Sequence, residues 1–375
     1  MRHKLILILL CFTISDLSLA QSREQQVTTH TSQPVQSTRG LPASKVEKIE
    51  PLISAWMTQH KAPALSVAIV TDNQLRWSKG YGVIDLENSI PANADTAYRL
   101  ASISKSITAT AVMQLVEKGK LDLDAPIQKY CPAFPEKQWK ITPRQLLTHF
   151  AGIRHNGLGE STSTKHYNST TESLNSFKDD PLLHEPDTKY SYSTPGYTLL
   201  GCAIEGASGM AYLDYVRENI FKPAGMNRTQ ADDVYTIIPN RARGYRNIRE
   251  VQNAPLHDTS IKIPGGGLVS TVEDLARFAI AIQNGSLVKK ETLEQMWIHP
   301  RTRDGKESKY GFGWLTEERD GQKRVFNDGS QAGTRTYLFI LPKEQFAIAL
   351  MTNMERAWCE ELVPKIVDIV LREKY

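Results

Sequence analysis

The sequence predicts a mixed α/β (α+β) fold, in which an antiparallel β-sheet is flanked by helices and carries a mostly helical inserted lobe. A helix and a hairpin are predicted near the start of the chain, and several strands and a final helix near its end. Between them, residues 120–264 show loops and helical patterns with little strand character. Because both chain ends carry strands, we expect one sheet built from both ends, with a cleft between this sheet and the insert.

The first folded elements are a helix and a hairpin. Ser44 is the predicted cap of a helix whose apolar residues recur at helical spacing from Val46 to Trp56. Two runs rich in Val, Ile, Leu and aromatic residues, Ala64–Val70 and Gln74–Val83, then flank the turn Thr71-Asp72-Asn73. This arrangement is typical of a β-hairpin.

The next predicted element is a helix from Ser102 to Lys118. Apolar side chains recur there every three or four residues, and Gly119 offers a natural stop. Further helices are expected at Pro143–His149, Pro195–Gly206, Ala211–Ile220, Thr271–Ile282, Glu291–Trp297 and Glu360–Arg372. Further strands are expected at Gly311–Leu315, Arg324–Asn327, Thr334–Leu341 and Phe346–Asn353.

Residues 1–20 carry the features of a cleavable secretory signal. The basic start Arg2-His3-Lys4 precedes the apolar run Leu5–Phe12, and Ser18-Leu19-Ala20 supplies small residues where a signal peptidase reads them. A membrane anchor is the alternative, but the run is well short of the roughly 20 apolar residues needed to cross a bilayer. We therefore expect a secreted or periplasmic protein without a transmembrane span.

The remaining chain divides into a leader and one folded domain. Residues 21–43 consist mainly of small and polar residues with few large apolar side chains, which predicts a flexible leader. The catalytic domain is expected over residues 44–375. Its sheet lobe would comprise residues 44–99 and 265–375, and its helical lobe residues 100–264.

Charge and motifs exclude two classes of function. The 45 Lys and Arg residues and 41 Asp and Glu residues give a net charge of +4 without a long basic run, which argues against nucleic-acid binding. The chain also lacks the zinc-binding motif His-Glu-x-x-His and the nucleotide-binding motif Gly-x-x-x-x-Gly-Lys. No metal and no other cofactor is predicted.

The number of cysteines limits how far disulfide bonds can stabilise the fold. Cys131, Cys202 and Cys359 remain once the signal is removed, which is too few for a disulfide framework. One disulfide is possible, but the spacing favours no particular pairing.

The segment Ser102-Ile103-Ser104-Lys105 is the first candidate for chemistry. Residues three apart are neighbours on a helix, so a serine hydroxyl and a lysine amine would share one face. An amine that has lost its proton can activate the hydroxyl as a nucleophile. The alternative is a helix cap followed by a surface lysine, and a second match, Ser286-Leu287-Val288-Lys289, lies in a predicted turn.

Four segments carry a resemblance to a known family. They are Tyr98–Lys105, Leu146–Ile153, Tyr192–Gly201 and Gly265–Thr271. In order and spacing they resemble the serine β-lactamase-like family, which includes class C β-lactamases, DD-peptidases and related esterases. The resemblance covers residues 45–372, and the Tyr-Ser-Thr form of the third segment is most similar to the animal branch known from mitochondria.

The resemblance implies a β-lactamase/transpeptidase-like fold and assigns roles to residues. Ser102 would be the nucleophile that forms an acyl-enzyme, and Lys105 its activating neighbour. Tyr192 would share proton transfer as acid or base, provided that adjacent cations stabilise its phenolate. The backbone N–H groups of Ser102 and Ser330 would form the oxyanion hole.

Two positions depart from the family pattern. Thr194 stands where the family usually has Asn, and it is also expected to cap the following helix. Asn327-Asp328-Gly329 stands where the family has Lys or His, any residue, then Gly. Thr194, Asn327 and Gly329 are the predicted substrate-binding residues. The missing cation could be replaced by one of three nearby residues, which are Lys323, Arg324 and Arg335.

The sequence therefore predicts a secreted serine hydrolase that acts through an acyl-enzyme on an amide or ester of a small molecule or peptide. The missing cation favours esterase or peptidase action over efficient β-lactam hydrolysis. A Ser-His-Asp site with His149 is a weaker alternative, because no Gly-x-Ser-x-Gly motif is present and a packed histidine is favoured. The other alternative is a binding or scaffold protein that keeps the fold without catalysis.

Overall fold

The computed structural model describes residues 40–372. The predicted signal peptide, and the leader up to residue 39, lie outside the described residues. Within residues 40–372 the strands are β1 (Ala64–Thr71), β2 (Gln74–Asp85), β3 (Ile90–Pro91), β4 (Tyr98–Arg99), β5 (Gln230–Ala231), β6 (Tyr245–Asn247), β7 (Val251–Asn253), β8 (Leu268–Ser270), β9 (Leu315–Arg319), β10 (Gln322–Gln331), β11 (Thr334–Leu341) and β12 (Phe346–Thr352). The α-helices of the same region are α1 (Ala43–His60), α2 (Ser104–Glu117), α3 (Pro143–Leu147), α4 (Thr170–Ser173), α5 (Thr194–Ser208), α6 (Tyr212–Val216), α7 (Lys222–Ala224), α8 (Ile263–Gly266), α9 (Val272–Gln283), α10 (Lys290–Met296) and α11 (Val363–Val367).

A seven-stranded antiparallel sheet organises the fold, with the strand order β3-β2-β1-β12-β11-β10-β9. The N-terminal strand β1 pairs directly with the C-terminal strand β12. The sheet is therefore built from both chain ends, and the predicted α/β (α+β) class, an antiparallel sheet flanked by helices, is confirmed.

Side chains of the central strands alternate between two hydrophobic cores, as the period of a β-strand requires. On one face, Leu65 and Val67 pack in a cluster that also contains Trp56 of α1. On the other face, Ala68 and Val70 join the larger core with the helices of the insert. Burial on both faces explains why β1 reads as an almost continuous apolar run.

The insert between the two halves of the sheet is mostly helical. Helices α2 and α5 pack together with nearly all their side chains buried. A disulfide joins Cys131 to Cys202 on α5, so the pairing that the spacing left open is now defined. None of the helices between residues 40 and 372 is long and apolar enough to cross a membrane.

Several predicted elements have different bounds in the structure. The first helix begins at Ala43 after Pro42, without a side-chain cap, so the prediction of Ser44 as the cap was wrong. The strand predicted at Gly311–Leu315 was also wrong, because Gly313 adopts a φ of 77° and β9 begins only at Leu315. A Cβ atom at Gly313 would lie 2.9 Å from the Lys105 carbonyl oxygen, so this turn approaches α2 closely.

A small sheet with the strand order β4-β8-β5 was missed by the sequence analysis. Its strands are only two or three residues long, too short for a periodic pattern to be visible. It matters for the site, because β4 leads directly into Ser102 and β8 follows the glycines Gly265–Gly267.

Candidate active site

The chain enters the site through a tight turn after β4. The Leu100 N–H donates to the Leu268 carbonyl at 2.8 Å, and the Leu100 carbonyl accepts from Thr336 Oγ1 at 2.9 Å. Ala101 then adopts a φ of 49°, a conformation that costs a non-glycine residue about 1 kcal/mol or more. The turn fixes Ser102 in a 3₁₀ segment just before α2.

The three predicted catalytic side chains meet at the Ser102 hydroxyl. Tyr192 Oη donates to Ser102 Oγ at 2.7 Å, and Lys105 Nζ lies 3.2 Å from the same oxygen. Lys105 Nζ also lies 4.8 Å from the centre of the Tyr192 ring. The helical spacing brings the lysine to the serine, and the start of α5 brings in the tyrosine.

Lys105 is completely buried, and its amine contacts three oxygen atoms. Besides Ser102 Oγ, these are Thr194 Oγ1 at 3.1 Å and the Gly265 carbonyl at 2.6 Å. Burial holds the pKa of Lys105 well below its usual value, and the nearby charge of Lys262 lowers it further. The environment thus favours the neutral amine.

The pKa of the Tyr192 phenol is shifted in the opposite direction, which also favours the neutral form. Burial raises the pKa of Tyr192 and the charge of Asp328 adds to the rise, against a smaller lowering by the hydrogen bond with Ser102. The main influences on the pKa of Tyr192 thus include no cation that would stabilise a phenolate, although such a cation was expected from the sequence. A protonated phenol beside a neutral amine is the state that the site favours.

The start of α5 differs from the prediction in one detail. The cap is Ser193, whose Oγ accepts from the Gly196 N–H at 2.9 Å. Thr194 is the first helical residue, which leaves its hydroxyl free to accept from Lys105 instead of capping. Gly265 lies close by, and a Cβ there would come within 2.8 Å of the Thr194 carbonyl oxygen.

Strand β10 forms the opposite wall with the segment Asn327–Ser330. The Asn327 side chain points inward, where its Nδ2 donates to Ser106 Oγ at 2.8 Å and to the Gly313 carbonyl at 2.9 Å. Those two bonds use both protons of the amide. Asn327 therefore connects the strand to α2 below the nucleophile.

Gly329 and Ser330 complete this wall. A Cβ at Gly329 would lie 2.1 Å from the Leu100 carbonyl oxygen, so only glycine lets the strand approach the nucleophile turn. Ser330 is exposed and lines the cleft together with Ser102. The two residues predicted to form the oxyanion hole thus lie on facing walls of one cleft.

None of the three cations proposed as replacements for the family cation lines the cleft. Lys323 Nζ lies 5.4 Å from the centre of the Trp297 ring, and Arg324 pairs with Glu317 and Asp320. The buried Arg335 is held between the carboxylates of two acidic residues, Asp328 and Glu360.

Lys262, which the sequence analysis missed, lines the cleft instead. It is 7% exposed and lies in the 3₁₀ turn Ser260–Lys262 just before α8. The available signal was a lysine between two isoleucines, three residues before the first of three glycines. A charged residue in an apolar run is a candidate for a buried functional site.

His149 is a packed residue, as predicted. Its Nδ1 accepts from the Ser193 N–H at 3.1 Å, and its ring contacts those of Tyr192, Tyr197 and Tyr310. Burial lowers its pKa well below the usual value, so the ring is neutral. His155 lines the cleft, and burial lowers its pKa to about 4.

The cleft that contains these groups has a volume of about 660 Å³. It opens between β10 on one side and the loops before α5 and α8 on the other. Across residues 40–372, no group of three His, Cys, Asp or Glu side chains is arranged to hold a metal ion. The second Ser-x-x-Lys match lies elsewhere, with Ser286 bonded to Asn284 in a turn and Lys289 exposed.

An antiparallel sheet with a helical insert, and a Ser-x-x-Lys pair facing a tyrosine, define the class of proteins with the β-lactamase and penicillin-binding-protein fold. The family model described as Beta-lactamase matches residues 49–359, so the chain belongs to the Beta-lactamase family.

Individual relatives support this placement. The chain is 32% identical over 399 residues to the serine beta-lactamase-like protein LACTB, mitochondrial, of Homo sapiens, covering 80% of this chain and 73% of the human protein. An octameric penicillin-binding protein homologue from Pyrococcus abyssi superposes with a TM-score of 0.76 at 28% identity, covering 88% of this chain and 78% of that chain. A D-amino acid amidase from Ochrobactrum anthropi SV3 gives a TM-score of 0.72 at 25% identity, covering 88% and 98%.

Proposed function

We propose that this protein is a serine hydrolase that forms an acyl-enzyme at Ser102 and cleaves an amide or ester of a small molecule or peptide. The observation that carries the proposal is the contact of Ser102 Oγ with both Tyr192 Oη, at 2.7 Å, and a fully buried lysine amine, at 3.2 Å. A helix cap with a surface lysine would need neither contact.

The first step of the proposed reaction is acylation. Ser102 Oγ attacks the substrate carbonyl carbon while the neutral Lys105 amine takes the hydroxyl proton. The Gly265 carbonyl and Thr194 Oγ1 hold the two N–H bonds of the amine, which aims its lone pair at the serine. The carbonyl oxygen gains the negative charge opposite the N–H groups of Ser102 and Ser330. One such donor is typically worth about 100-fold or more in rate.

Collapse of this intermediate breaks the bond to the leaving group. Tyr192 donates its proton to the departing nitrogen or oxygen. The proton that Lys105 took from Ser102 then passes to the phenol oxygen of Tyr192. In deacylation a water attacks the acyl carbon, its proton passes to the same pair, and Ser102 Oγ is released with a proton. Every proton that leaves a residue thus returns by the end of the cycle.

Esters and simple amides suit the cleft better than β-lactams. Asn327 uses its amide on Ser106 and Gly313, and the exposed edge of β10 carries Asp328. This edge offers no cation for the carboxylate of a penicillin. One structural relative is a D-amino acid amidase, and amino acid amides are therefore the first substrates to test here.

An activity-based label tests the proposal. A fluorophosphonate probe should label the wild type at Ser102, mapped by mass spectrometry, and Ser102→Ala should lose the label. Ser286→Ala, from the second Ser-x-x-Lys match, is the matched control and should label fully. Turnover of nitrophenyl esters, D-amino acid amides and a chromogenic cephalosporin would be measured on the same three proteins. Labelling of Ser102→Ala equal to the wild type would refute the assignment.

A binding or scaffold role is the second candidate. It is favoured by Asn327, whose amide is fully engaged inside the protein instead of facing substrate. This role predicts a folded chain with no labelling and no turnover. Abolition of turnover by Ser102→Ala would reject it.

We also propose export from the cytoplasm with removal of residues 1–20. Support comes from the buried disulfide Cys131–Cys202, since such bonds persist mainly in oxidising compartments. N-terminal sequencing of the exported chain should begin near Gln21. A mature protein that still begins at Met1 would contradict the proposal.

A further inference from the structure

Lys262 is a buried cation without a counter-ion. It is 7% exposed, and among residues 40–372 no hydrogen bond or ion pair reaches its ammonium group. Its methylene chain passes Gly266, where a Cβ atom would lie 3.7 Å from Lys262 Cδ, and the residue lines the cleft. A buried charge is costly unless it is paired, so this position calls for an anion from outside the chain.

Asp232 is the acidic residue whose charge acts on Lys262, and other cations already engage it. Asp232 is buried, but its Oδ2 accepts from Arg99 Nε at 2.7 Å and its Oδ1 accepts from Arg241. Two guanidinium groups therefore already neutralise this carboxylate. Arg99 also lies close enough for its charge to act on Lys262, so the local field stays positive.

The position of Lys262 in the cleft differs from that expected for the family cation. It lies on the helical wall, just before α8, whose Gly265 carbonyl accepts from Lys105. The facing strand β10 presents Asp328, which is paired with Arg335. The cleft thus carries a lysine on its helical wall and a carboxylate on the strand, and Arg246 of β6 also lines it.

We propose that Lys262 forms a carboxylate subsite on the helical wall, which selects esters or amides carrying a carboxylate near the scissile carbonyl. This inference rests on the proposed function. A carboxylate, with one negative charge, matches a single ammonium group better than a phosphate dianion. Ser161 and Thr162 line the same cleft, and their hydroxyl groups are suited to complete the solvation of the bound anion.

A pair of matched substrates tests the subsite. Mono(4-nitrophenyl) adipate and 4-nitrophenyl hexanoate share a leaving group and acyl length and differ only in a terminal carboxylate. A third ester, 3-carboxy-4-nitrophenyl hexanoate, carries the carboxylate on the leaving group. The measured quantity is the ratio of kcat/KM for each carboxylate ester to that for the neutral ester, on the high-pH plateau of each protein.

Lys262→Met should lower this ratio at least 10-fold for one of the two carboxylate esters. Lys262→Arg keeps the positive charge and should retain most of the wild-type ratio. The ester that responds identifies the side of the scissile bond that faces Lys262. Lys323→Met is the matched control, because it removes a lysine of β10 outside the cleft, and it should keep the wild-type ratio. Wild-type ratios in Lys262→Met for both esters, or an equal loss in Lys323→Met, would overturn the subsite.

A binding measurement separates this inference from the proposed function. Glutarate should bind Ser102→Ala in a calorimetric titration, and the added change Lys262→Met should weaken that binding at least 10-fold. If turnover does not depend on Ser102 but glutarate binding depends on Lys262, the hydrolase proposal fails and the subsite stands. If turnover depends on Ser102 and neither the ratio nor the binding depends on Lys262, only the subsite fails.

Discussion

Replacing Lys105 by methionine should change how the stability of the protein depends on pH. Burial and the charge of Lys262 hold the pKa of Lys105 well below its ordinary value of 10.5. In the unfolded chain the same amine is protonated at neutral pH. Between the two pKa values the unfolded state binds one more proton than the folded state, so the free energy of unfolding of the wild type rises with pH.

The size of the effect follows from one proton. One proton changes the free energy of unfolding by about 1.4 kcal/mol per pH unit. Lys262, whose pKa is lowered to about 8, is largely protonated in both states below pH 7.5 and contributes little there. At pH values between the folded-state pKa of Lys105 and 10.5, the wild type should therefore gain up to about 1.4 kcal/mol per pH unit relative to Lys105→Met. Histidines that titrate in the same range largely cancel in this difference.

Urea denaturation followed by tryptophan fluorescence, at fixed ionic strength and several pH values, measures this difference. Lys289→Met is the control, because that side chain is exposed and belongs to the second Ser-x-x-Lys match. Its stability curve should run parallel to the wild type. A parallel curve for Lys105→Met as well would mean that the amine keeps its proton in the folded protein, and Lys105 could not then be the base.

Three other substitutions test separate parts of the site and fold. Tyr192→Phe should lower kcat/KM about 100- to 10,000-fold with little change in melting temperature, because the hydrogen bond to the nucleophile is lost and the ring stays packed; retained activity would exclude a role for the phenol. Gly329→Ala should destabilise the fold by about 1–3 kcal/mol and slow fluorophosphonate labelling, since its Cβ would lie 2.1 Å from the Leu100 carbonyl oxygen; wild-type labelling would show that the strand can move freely. Cys131→Ala should cost about 2–5 kcal/mol in urea denaturation by opening the 71-residue link to Cys202, and reduction of the wild type should give a similar loss; equal stability with and without the bond would contradict this.

The sheet was predictable where local pattern and tertiary structure agree. The strand Thr334–Leu341 has the same bounds in the sequence prediction and in the structure, because its apolar run is buried on both faces. The strand predicted at Gly311–Leu315 failed at Gly313, where close packing on α2 demands a φ of 77°. The sequence around a single glycine does not show that packing against another element requires a positive φ there.

The candidate site likewise contains residues that the sequence predicts and residues that only tertiary packing places there. Helical spacing made Ser102 and Lys105 candidates, and the family resemblance distinguished them from the second Ser-x-x-Lys match and also pointed to Tyr192. Lys262 lies far from Ser102 in sequence, and it reaches the cleft only through the packing of α8 against α5. Contacts with α2 likewise direct the Asn327 side chain inward, and the local sequence pattern does not predict these contacts.

These contacts explain how the lysine base can be kept neutral although the part of β10 that lines the cleft carries no cation. A neutral lysine base needs low dielectric surroundings or a neighbouring positive charge, and Lys105 has both, from full burial and from Lys262. Asp328 acts in the opposite direction on Lys105, but its pairing with Arg335 offsets much of that charge. The positive charge that the family places on the strand is thus supplied here from the helical wall. Activation of the nucleophile can survive this exchange, whereas the preferred position of a substrate carboxylate must change with it.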